Sequence, residues 1–68
     1  MNFEDKLVVR ERVAAKMIGV STSALRRWRA ERRGPRFIRL ERAIGYRLAD
    51  IEEFLDQHTV RPIERVQQ

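Results

Sequence analysis

The stretch AAKMIGVSTSALRRWRA, from Ala14 to Ala30, contains two short apolar patterns separated by a glycine. Before Gly19 the apolar side chains recur at helical spacing and the charged ones lie largely elsewhere, which predicts a first helix. Gly19 readily takes positive φ, the conformation in which helices commonly end. Ser21 is a good N-cap because its hydroxyl accepts a hydrogen bond from a free backbone N–H, so a second helix is expected directly after it.

The second helix separates its side chains into two faces when they are placed at about 100° per residue. Leu25 and Trp28 lie with Ala24 on one face, which is predicted to pack on the core. Stacking of Trp28 on a nucleic-acid base is the alternative, but its position beside Leu25 favours the core. The opposite face is polar and basic and carries Ser23, Arg26, Arg27 and Ala30. One face is therefore expected to hold the helix in place while the other meets a partner.

The sequence on either side of these helices predicts short strands. The apolar run from Leu7 to Val9 indicates either a strand or a hydrophobic staple before the first helix. The second helix is expected to fray through residues 31–35, since Gly34 and Pro35 stop it. From Arg36 to Arg47 the residues are rich in β-branched and aromatic types, which predicts a two-stranded hairpin. An isolated hairpin is marginal in water, so this one must pack on the helices.

The C-terminal third of the chain predicts one more helix and a tail. In ADIEEFLDQ, residues 49–57, the apolar Ile51, Phe54 and Leu55 recur at helical spacing. The domain is therefore expected to span residues 1–57. Residues 58–68 are predicted to be a tail that is disordered in isolation or binds a partner. Its apolar residues, the candidates for such a contact, are Val60, Ile63 and Val66.

Positive charge is concentrated in the middle of the chain. The net charge is +5 overall, and it is +1 over residues 1–20, +7 over residues 21–47 and −3 over residues 48–68. All nine basic residues of the middle segment are arginine, whose planar fork matches phosphate oxygens and guanine edges. This pattern favours a nucleic-acid partner, with a merely solvated basic surface as the alternative.

Two short helices that meet at a tight turn, the second basic on its outer face, are typical of a helix-turn-helix. Small Ala15 falls where the two helices would cross, a place that a larger side chain would force apart. Further along the chain, GPRFIRL (residues 34–40) leads into the hairpin and YRLADIEEFL (residues 46–55) closes the domain. With AAKMIGVSTSALRRW, these segments resemble the winged helix-turn-helix domains of the MerR-like group, above all phage and prophage excisionases and AlpA-type regulators.

The resemblance covers residues 7–57 and implies a mainly α fold with a small β-hairpin as its wing. Such domains insert the second helix into the major groove of DNA, while the wing reaches the minor groove or the backbone. The residues that the resemblance and the charge pattern place at DNA are Thr22, Ser23, Arg26, Arg27, Arg36, Arg39, Arg42 and Arg47. Relatives commonly carry glycine at the wing tip, where this chain has Glu41, and a polar residue where it has Gly45. For Arg29, Arg32 and Arg33 two alternatives are open: a contact with nucleic acid, or a side chain that is merely solvated or paired with Glu31 and the acidic third helix.

The first functional hypothesis is an excisionase-type architectural factor that binds repeated sites as several copies, bends duplex DNA and directs a phage integrase toward excision. A small transcriptional regulator is the second, and an adaptor that uses its arginines on an acidic protein is the third. The scarcity of chain outside the domain favours the first. No cofactor or enzymatic activity is expected, because Ser21, Ser23 and Asp50 have no histidine near them in sequence.

The composition also bears on metal sites and on location. The chain has no cysteine and one histidine, His58, which is expected to have no functional role, so the sequence predicts no disulfide and no metal site. No apolar run approaches the ~20 residues of a membrane span, and the N-terminus is unlike a secretory signal. A cytoplasmic protein of a bacterial or phage-infected cell is therefore expected. Two aromatic residues, Phe37 and Tyr46, fall short of the stacking platforms of RNA-binding sheets.

Overall fold

Three short helices and three short strands make up residues 7–62, the part of the chain that the structure, a computed structural model, describes. In chain order the elements are β1 (Val8–Arg10), α1 (Glu11–Ile18), α2 (Thr22–Ala30), β2 (Ile38–Leu40), β3 (Ala43–Arg47) and α3 (Leu48–Gln57). The strands form one antiparallel sheet in the order β1-β3-β2. Over these residues the protein is thus a small mixed α/β fold.

The connection between α1 and α2 has the predicted form. Gly19 is left-handed, with φ of 95°, and its N–H donates to the Ala15 carbonyl at 2.8 Å. The N–H of Val20 donates to the same carbonyl at 3.0 Å. The Ser21 hydroxyl then accepts from the N–H of Ala24 at 3.0 Å. The end of one helix and the cap of the next are thus both satisfied within a turn of three residues, which confirms the predicted helix, turn and helix.

The end of α2 differs from the fraying that the sequence predicts. The N–H of Arg33 donates to the Trp28 carbonyl at 2.7 Å, and that of Arg32 donates to the Arg29 carbonyl at 3.1 Å, the pattern of a Schellman cap. The left-handed residue of this cap is Arg32, with φ of 62°. Gly34 serves a different purpose, since a Cβ there would lie 3.2 Å from the Trp28 side chain. The chain therefore leaves the helix in an ordered turn that passes closely over the indole.

The predicted hairpin is present between β2 and β3. Leu40 pairs with Ala43 across a two-residue turn made of Glu41 and Arg42. The strands occupy only part of the predicted range, because the chain from residue 31 to residue 37 is used to return from α2 to the sheet. Glu41 has a φ of 54°, a left-handed value that favours glycine.

A third strand joins the hairpin, which is the first of the two alternatives for the apolar run from Leu7 to Val9. The apolar run before α1 is the strand β1, and it pairs with β3, with Val9 opposite Tyr46. Leu48 N–H also donates to the Leu7 carbonyl at 3.0 Å. The physical reason is that the backbone of β3 is buried around Tyr46 and needs hydrogen-bonding partners on both edges. β1 and β2 supply them.

The core lies between the helices and one face of the sheet. Leu25 is completely buried, as its place on the inner face of α2 predicts. Tyr46 is 1% exposed and is the largest of the fully buried side chains. Trp28 is half-buried and packs on Phe54 of α3, with 5.7 Å between ring centroids. The fully buried hydrophobic residues are Val9, Ala14, Ala15, Leu25, Tyr46 and Ile51.

The helix α3 is present as predicted, with one difference on its apolar side. Ile51 is buried and Phe54 is half-buried, but Leu55 is 40% exposed because no described element covers it. His58 ends the helix, its ring 4.2 Å from that of Phe54 and its Nδ1 2.9 Å from the Phe54 carbonyl oxygen. This histidine, for which no role was expected, packs on the end of α3.

The predicted tail is only partly described. Thr59 donates its hydroxyl to the Leu55 carbonyl at 2.7 Å, and residues 59–62 are exposed. Val60 is 85% exposed. Ile63 and Val66, also predicted as contact residues, lie outside the described residues.

Candidate nucleic-acid interface

The helix α2 presents its basic side chains to solvent. Arg26 and Arg27 are exposed, and so is Ser23 one turn earlier, while Thr22 is half-buried at the first position of the helix. Leu25 and Trp28 point the other way and fix the helix to the core and to α3. The two faces inferred from helical spacing are thus the two faces of α2 in the structure.

A carboxylate from α1 organises the arginines of α2. Glu11 is 13% exposed and accepts two hydrogen bonds from Arg29, one from Nε at 2.9 Å and one from Nη2 at 3.2 Å. It also accepts a hydrogen bond from the Tyr46 hydroxyl at 3.1 Å. Arg26 Nε lies 3.8 Å from the other carboxylate oxygen, Oε1. Glu11 therefore joins α1, α2 and β3 at one point.

This cluster changes the proton affinity of two of its members. The hydrogen bond to Glu11 raises the pKa of Arg29, which stays a cation under all ordinary conditions. Burial raises the pKa of Tyr46 to about 12, and the nearby negative charge of Glu11 contributes to the same shift. The Tyr46 hydroxyl is thus held as a neutral donor. Phe37 completes the surroundings, with the Arg29 guanidinium 5.7 Å from its ring centroid.

Three arginines are held by carboxylates of the same chain. Arg29 pairs with Glu11, which corrects the expectation that its partner would be Glu31 or α3. Arg33 pairs with Glu31 at 3.0 Å, and this ion pair is among the alternatives predicted for it. Arg36, predicted at DNA, lies 3.0 Å from Glu53 and 3.6 Å from Asp50 on α3. These guanidinium groups already have anionic partners.

The other predicted arginines have no carboxylate within ion-pair distance among residues 7–62. They are Arg27 on α2, Arg42 at the turn of the hairpin, and Arg39 and Arg47 on the strands. All four are exposed. Arg26, at 3.8 Å from Glu11 and with 65% of its side chain exposed, is intermediate between the two groups.

The strand register separates the arginines of the hairpin. Arg39 lies opposite Ile44, and Ile44 shares a face of the sheet with Tyr46 because side chains alternate along a strand. On that face the Tyr46 hydroxyl donates to Glu11 of α1, so the face is directed toward α1 and α2. Arg47 lies opposite Val8 on the other face. The structure therefore brings Arg39 to the side of α2 and leaves Arg47 on the far side of the sheet.

Glu11 is the residue of this site that sequence reasoning missed. Its partners lie 18 and 35 positions away along the chain, so no local pattern connects them. In sequence Glu11 has the appearance of an ordinary acidic residue in the first turn of a helix. The only available signal was its position as the first residue of α1, directly after the strand β1.

Residues 7–62 contain neither a cluster of metal-binding side chains nor a membrane-spanning helix. No three side chains of histidine, aspartate or glutamate in the described part of the chain are grouped so that they could hold a metal ion. None of its helices is both long enough and apolar enough to cross a membrane.

Comparison with known proteins adds no relative. No protein-family model matches the chain, and a search of curated proteins returns no significant match.

Proposed function

We propose that the chain is a winged helix-turn-helix protein that binds duplex DNA, with α2 in the major groove and the β2–β3 hairpin as the wing. The observation that carries this proposal is that α2 has its exposed arginines and its apolar side chains on opposite faces. Arg26 and Arg27 face solvent, while Leu25 and Trp28 on the opposite face of the helix pack in the core. A short helix that offers guanidinium groups on one side and is held rigidly on the other has the form of a major-groove reader.

The dimensions of α2 suit this role. Its nine residues form a rod about 13 Å long, comparable with the ~12 Å width of the major groove. Ser23, Arg26 and Arg27 lie along the exposed side of that rod. Thr22, half-buried at the helix start, is placed for a phosphate through its backbone N–H or its hydroxyl. The length of the helix limits direct reading to a few base pairs.

The hairpin supports the same orientation. Arg39 and Arg42 are exposed and free of carboxylates in the described part of the chain, and Arg39 is on the side of the sheet toward α2. Phosphates next to the major groove are their expected targets. Arg47 faces the opposite side of the sheet, and Arg36 is engaged by Glu53 and Asp50, so we place both outside the primary contact.

Among DNA-binding roles we favour an excisionase-type architectural factor. The resemblance to excisionases motivates this choice, and the small reading surface supports it, since one short helix specifies little sequence and gains affinity when copies bind adjacent sites. An integrase is then the expected protein partner. A stand-alone transcriptional regulator of the AlpA type is the second candidate.

A nuclease footprint on the genomic DNA that flanks the reading frame tests the proposal. Several evenly spaced protected sites in direct orientation, next to an attachment site, are expected for the architectural factor. One protected operator at a promoter would indicate the regulator instead. If the protein gives no protection, and its binding to duplex DNA does not weaken between 50 and 200 mM salt, DNA binding is refuted and the adaptor hypothesis replaces it.

A pair of variants makes the same test at the level of residues. Arg27→Ala should weaken binding to duplex DNA, because it removes a free cation from the reading face. Arg33→Ala removes the same charge from a residue that pairs with Glu31 and should have a much smaller effect. Equal losses from both variants would show that only total charge matters and would contradict a defined interface.

A further inference from the structure

The two exposed arginines of α2 differ in their surroundings. Arg26 Nε lies 3.8 Å from Glu11 Oε1, whereas Arg27 has no carboxylate within 4 Å among residues 7–62. Glu11 itself is held by three hydrogen bonds, from Nε and Nη2 of Arg29 and from the Tyr46 hydroxyl. Its carboxylate therefore has a fixed position. Its Oε1 lies near Nε of Arg26, the guanidinium nitrogen closest to the backbone.

The direction of this contact decides which nitrogens of Arg26 stay free. A guanidinium has five N–H groups in a fixed fork, one on Nε and two on each Nη. Because Nε is the atom nearest Glu11, the edge formed by the two Nη groups is left for another partner. That edge matches the O6 and N7 acceptors of guanine in the major groove. The Arg26 side chain is 65% exposed, so the edge is accessible.

On the basis of the proposed DNA binding, we infer that Glu11 is a positioning residue that orients Arg26 toward a guanine, and that unsupported Arg27 contacts phosphate. The carboxylate favours orientations of Arg26 that turn Nε toward it. An arginine biased in this way loses less side-chain entropy when it binds and discriminates better between bases. An arginine without such support is well suited to a phosphate, which accepts hydrogen bonds from many directions. Arg26 thus determines sequence preference, and Arg27 contributes general affinity.

Glu11 does not simply neutralise Arg26. The carboxylate already accepts three hydrogen bonds from Arg29 and Tyr46, and its separation from Arg26 Nε is longer than a hydrogen bond. An ion pair of this kind at an exposed side chain is weak. Arg29 balances the charge of Glu11, so the charge of Arg26 remains available to DNA.

The experiment is a selection from a pool of random-sequence duplexes, carried out with the wild-type protein and with each variant. Arg26→Ala should lower the preference for guanine at one position of the selected site by about 5- to 100-fold. Arg27→Ala should weaken binding to selected and scrambled duplexes alike and leave the selected sequence unchanged. Glu11→Gln should lower the preference at the same position as Arg26→Ala, by about two- to fivefold, because Arg26 keeps its charge but loses its support.

Tyr46→Phe is the matched control for Glu11→Gln. It disturbs the same cluster but keeps the carboxylate beside Arg26, so the selected sequence should not change. A purely structural role of Glu11 predicts instead that Glu11→Gln, like Tyr46→Phe, lowers thermal stability without changing the base preference relative to general affinity. An autoinhibitory role predicts that Glu11→Gln binds the selected duplex more tightly, and either result overturns the inference.

A second measurement does not depend on the folding of the Glu11 variant. In the selected duplex, 7-deazaguanine replaces each guanine in turn, which removes only the N7 acceptor. One replacement should weaken the wild-type protein and Arg27→Ala, and it should have no effect on Arg26→Ala. If Arg27→Ala is the insensitive variant, the assignment is reversed and the inference fails. If the wild-type protein enriches no sequence and shows no salt-sensitive binding, the proposed function itself fails.

Discussion

Glu11 shows how much of this small fold depends on a single side chain. It accepts hydrogen bonds from Arg29 on α2 and from Tyr46 on β3, so one carboxylate ties the outer helix to the central strand. Because the cluster is partly buried and the Arg29 contact uses both carboxylate oxygens, it is stronger than an ordinary surface ion pair. Glu11 therefore adds to the apolar packing of Leu25 and Trp28 in fixing the orientation of α2 relative to the hairpin.

The ionisation of Tyr46 should be displaced to unusually high pH. Burial raises its pKa from the ordinary value of 10.0 to about 12. Since Tyr46 is the only tyrosine in the chain, its absorbance near 295 nm reports this group directly. We expect a midpoint near pH 12 in the folded protein and near pH 10 in denaturant. A folded-state midpoint near pH 10 would mean that the hydroxyl is exposed and that the cluster does not form.

The same pKa shift predicts how stability depends on pH. Folding raises the pKa, so the folded state keeps the phenolic proton where the unfolded chain has lost it. The contribution of Tyr46 to stability is therefore complete below pH about 10 and is lost as the pH rises to about 12. Denaturant unfolding at several pH values should show this decline in the wild-type protein. Tyr46→Phe should be less stable at neutral pH, and its decline over the same interval should be smaller.

Replacement of Glu41 by glycine should stabilise the protein. Glu41 has a φ of 54°, a conformation that costs a residue with a Cβ about 1 kcal/mol and costs glycine almost nothing. Glu41→Gly should therefore raise the melting temperature by about 4–8 °C. Glu41→Gln is the control, because it removes the same charge and keeps the Cβ. Equal melting temperatures for the two variants would disprove backbone strain.

At the scale of the elements, the position of β1 against β3 depends on a residue without a side chain. A Cβ on Gly45 would lie 2.6 Å from Val8 Cγ1 and 3.2 Å from Leu40 Cδ1. The side chains of Val8 on β1 and Leu40 on β2 thus both pack against the backbone of β3 at Gly45. This packing explains why a glycine stands at this position.

Gly45→Ala should therefore destabilise the sheet, by about 1–3 kcal/mol in denaturant unfolding, because the added methyl group overlaps Val8. The double variant Gly45→Ala with Val8→Ala should recover most of the lost stability, since it removes Val8 Cγ1, the atom that the added methyl group overlaps. If the double variant is as unstable as the sum of the two single variants, steric overlap is not the cause.

Ala15 of α1, which the sequence predicts to lie at the crossing with α2, is 1% exposed. Ala15→Leu should lower the melting temperature and abolish DNA binding, because the larger side chain forces α2 away from its place at a cost of about 1–3 kcal/mol. Ala49→Leu makes the same change at an exposed position of α3 and should affect neither property. Normal stability and binding for Ala15→Leu would refute the crossing point.

For the whole molecule, the arrangement of charges matters more than the net value of +5. The carboxylates of Glu11, Glu31 and Glu53 hold Arg29, Arg33 and Arg36. Among residues 7–62, Arg27 on the outer side of α2 and Arg42 at the tip of the hairpin are exposed and have no carboxylate within 4 Å. Arg29, Arg33 and Arg36 are thus paired, whereas exposed Arg32 in the same segment has no carboxylate within 4 Å among residues 7–62.

The salt dependence of DNA binding should separate these two groups of arginines. Arg42→Ala should lower the slope of log affinity against log salt concentration by about 0.9, the value for one lost phosphate contact. Arg36→Ala should change the slope by much less, because its guanidinium pairs with Glu53 and Asp50. Titrations of one duplex at several salt concentrations measure both effects. If Arg36→Ala lowers the slope by a full unit, Arg36 contacts phosphate and belongs to the interface.

The sequence by itself determined the helices and the turn between them, because their causes are local. A glycine able to take positive φ, a serine two residues later and apolar residues at helical spacing act within a few positions of one another. The same spacing assigned Leu25 to the core and Arg26 to solvent, and the structure agrees. The hairpin and α3 were also predictable from local composition.

Tertiary structure alone decided the third strand and the pairing of the arginines. Hydrogen bonds between β1 and β3 join segments that are far apart in the chain, and no local pattern told a strand from a staple. Likewise, Glu11 meets Arg29 and Tyr46 only after the chain has folded back on itself. Charge composition states how many arginines there are, but the electrostatic energy of each depends on distances in space, and folding sets those distances.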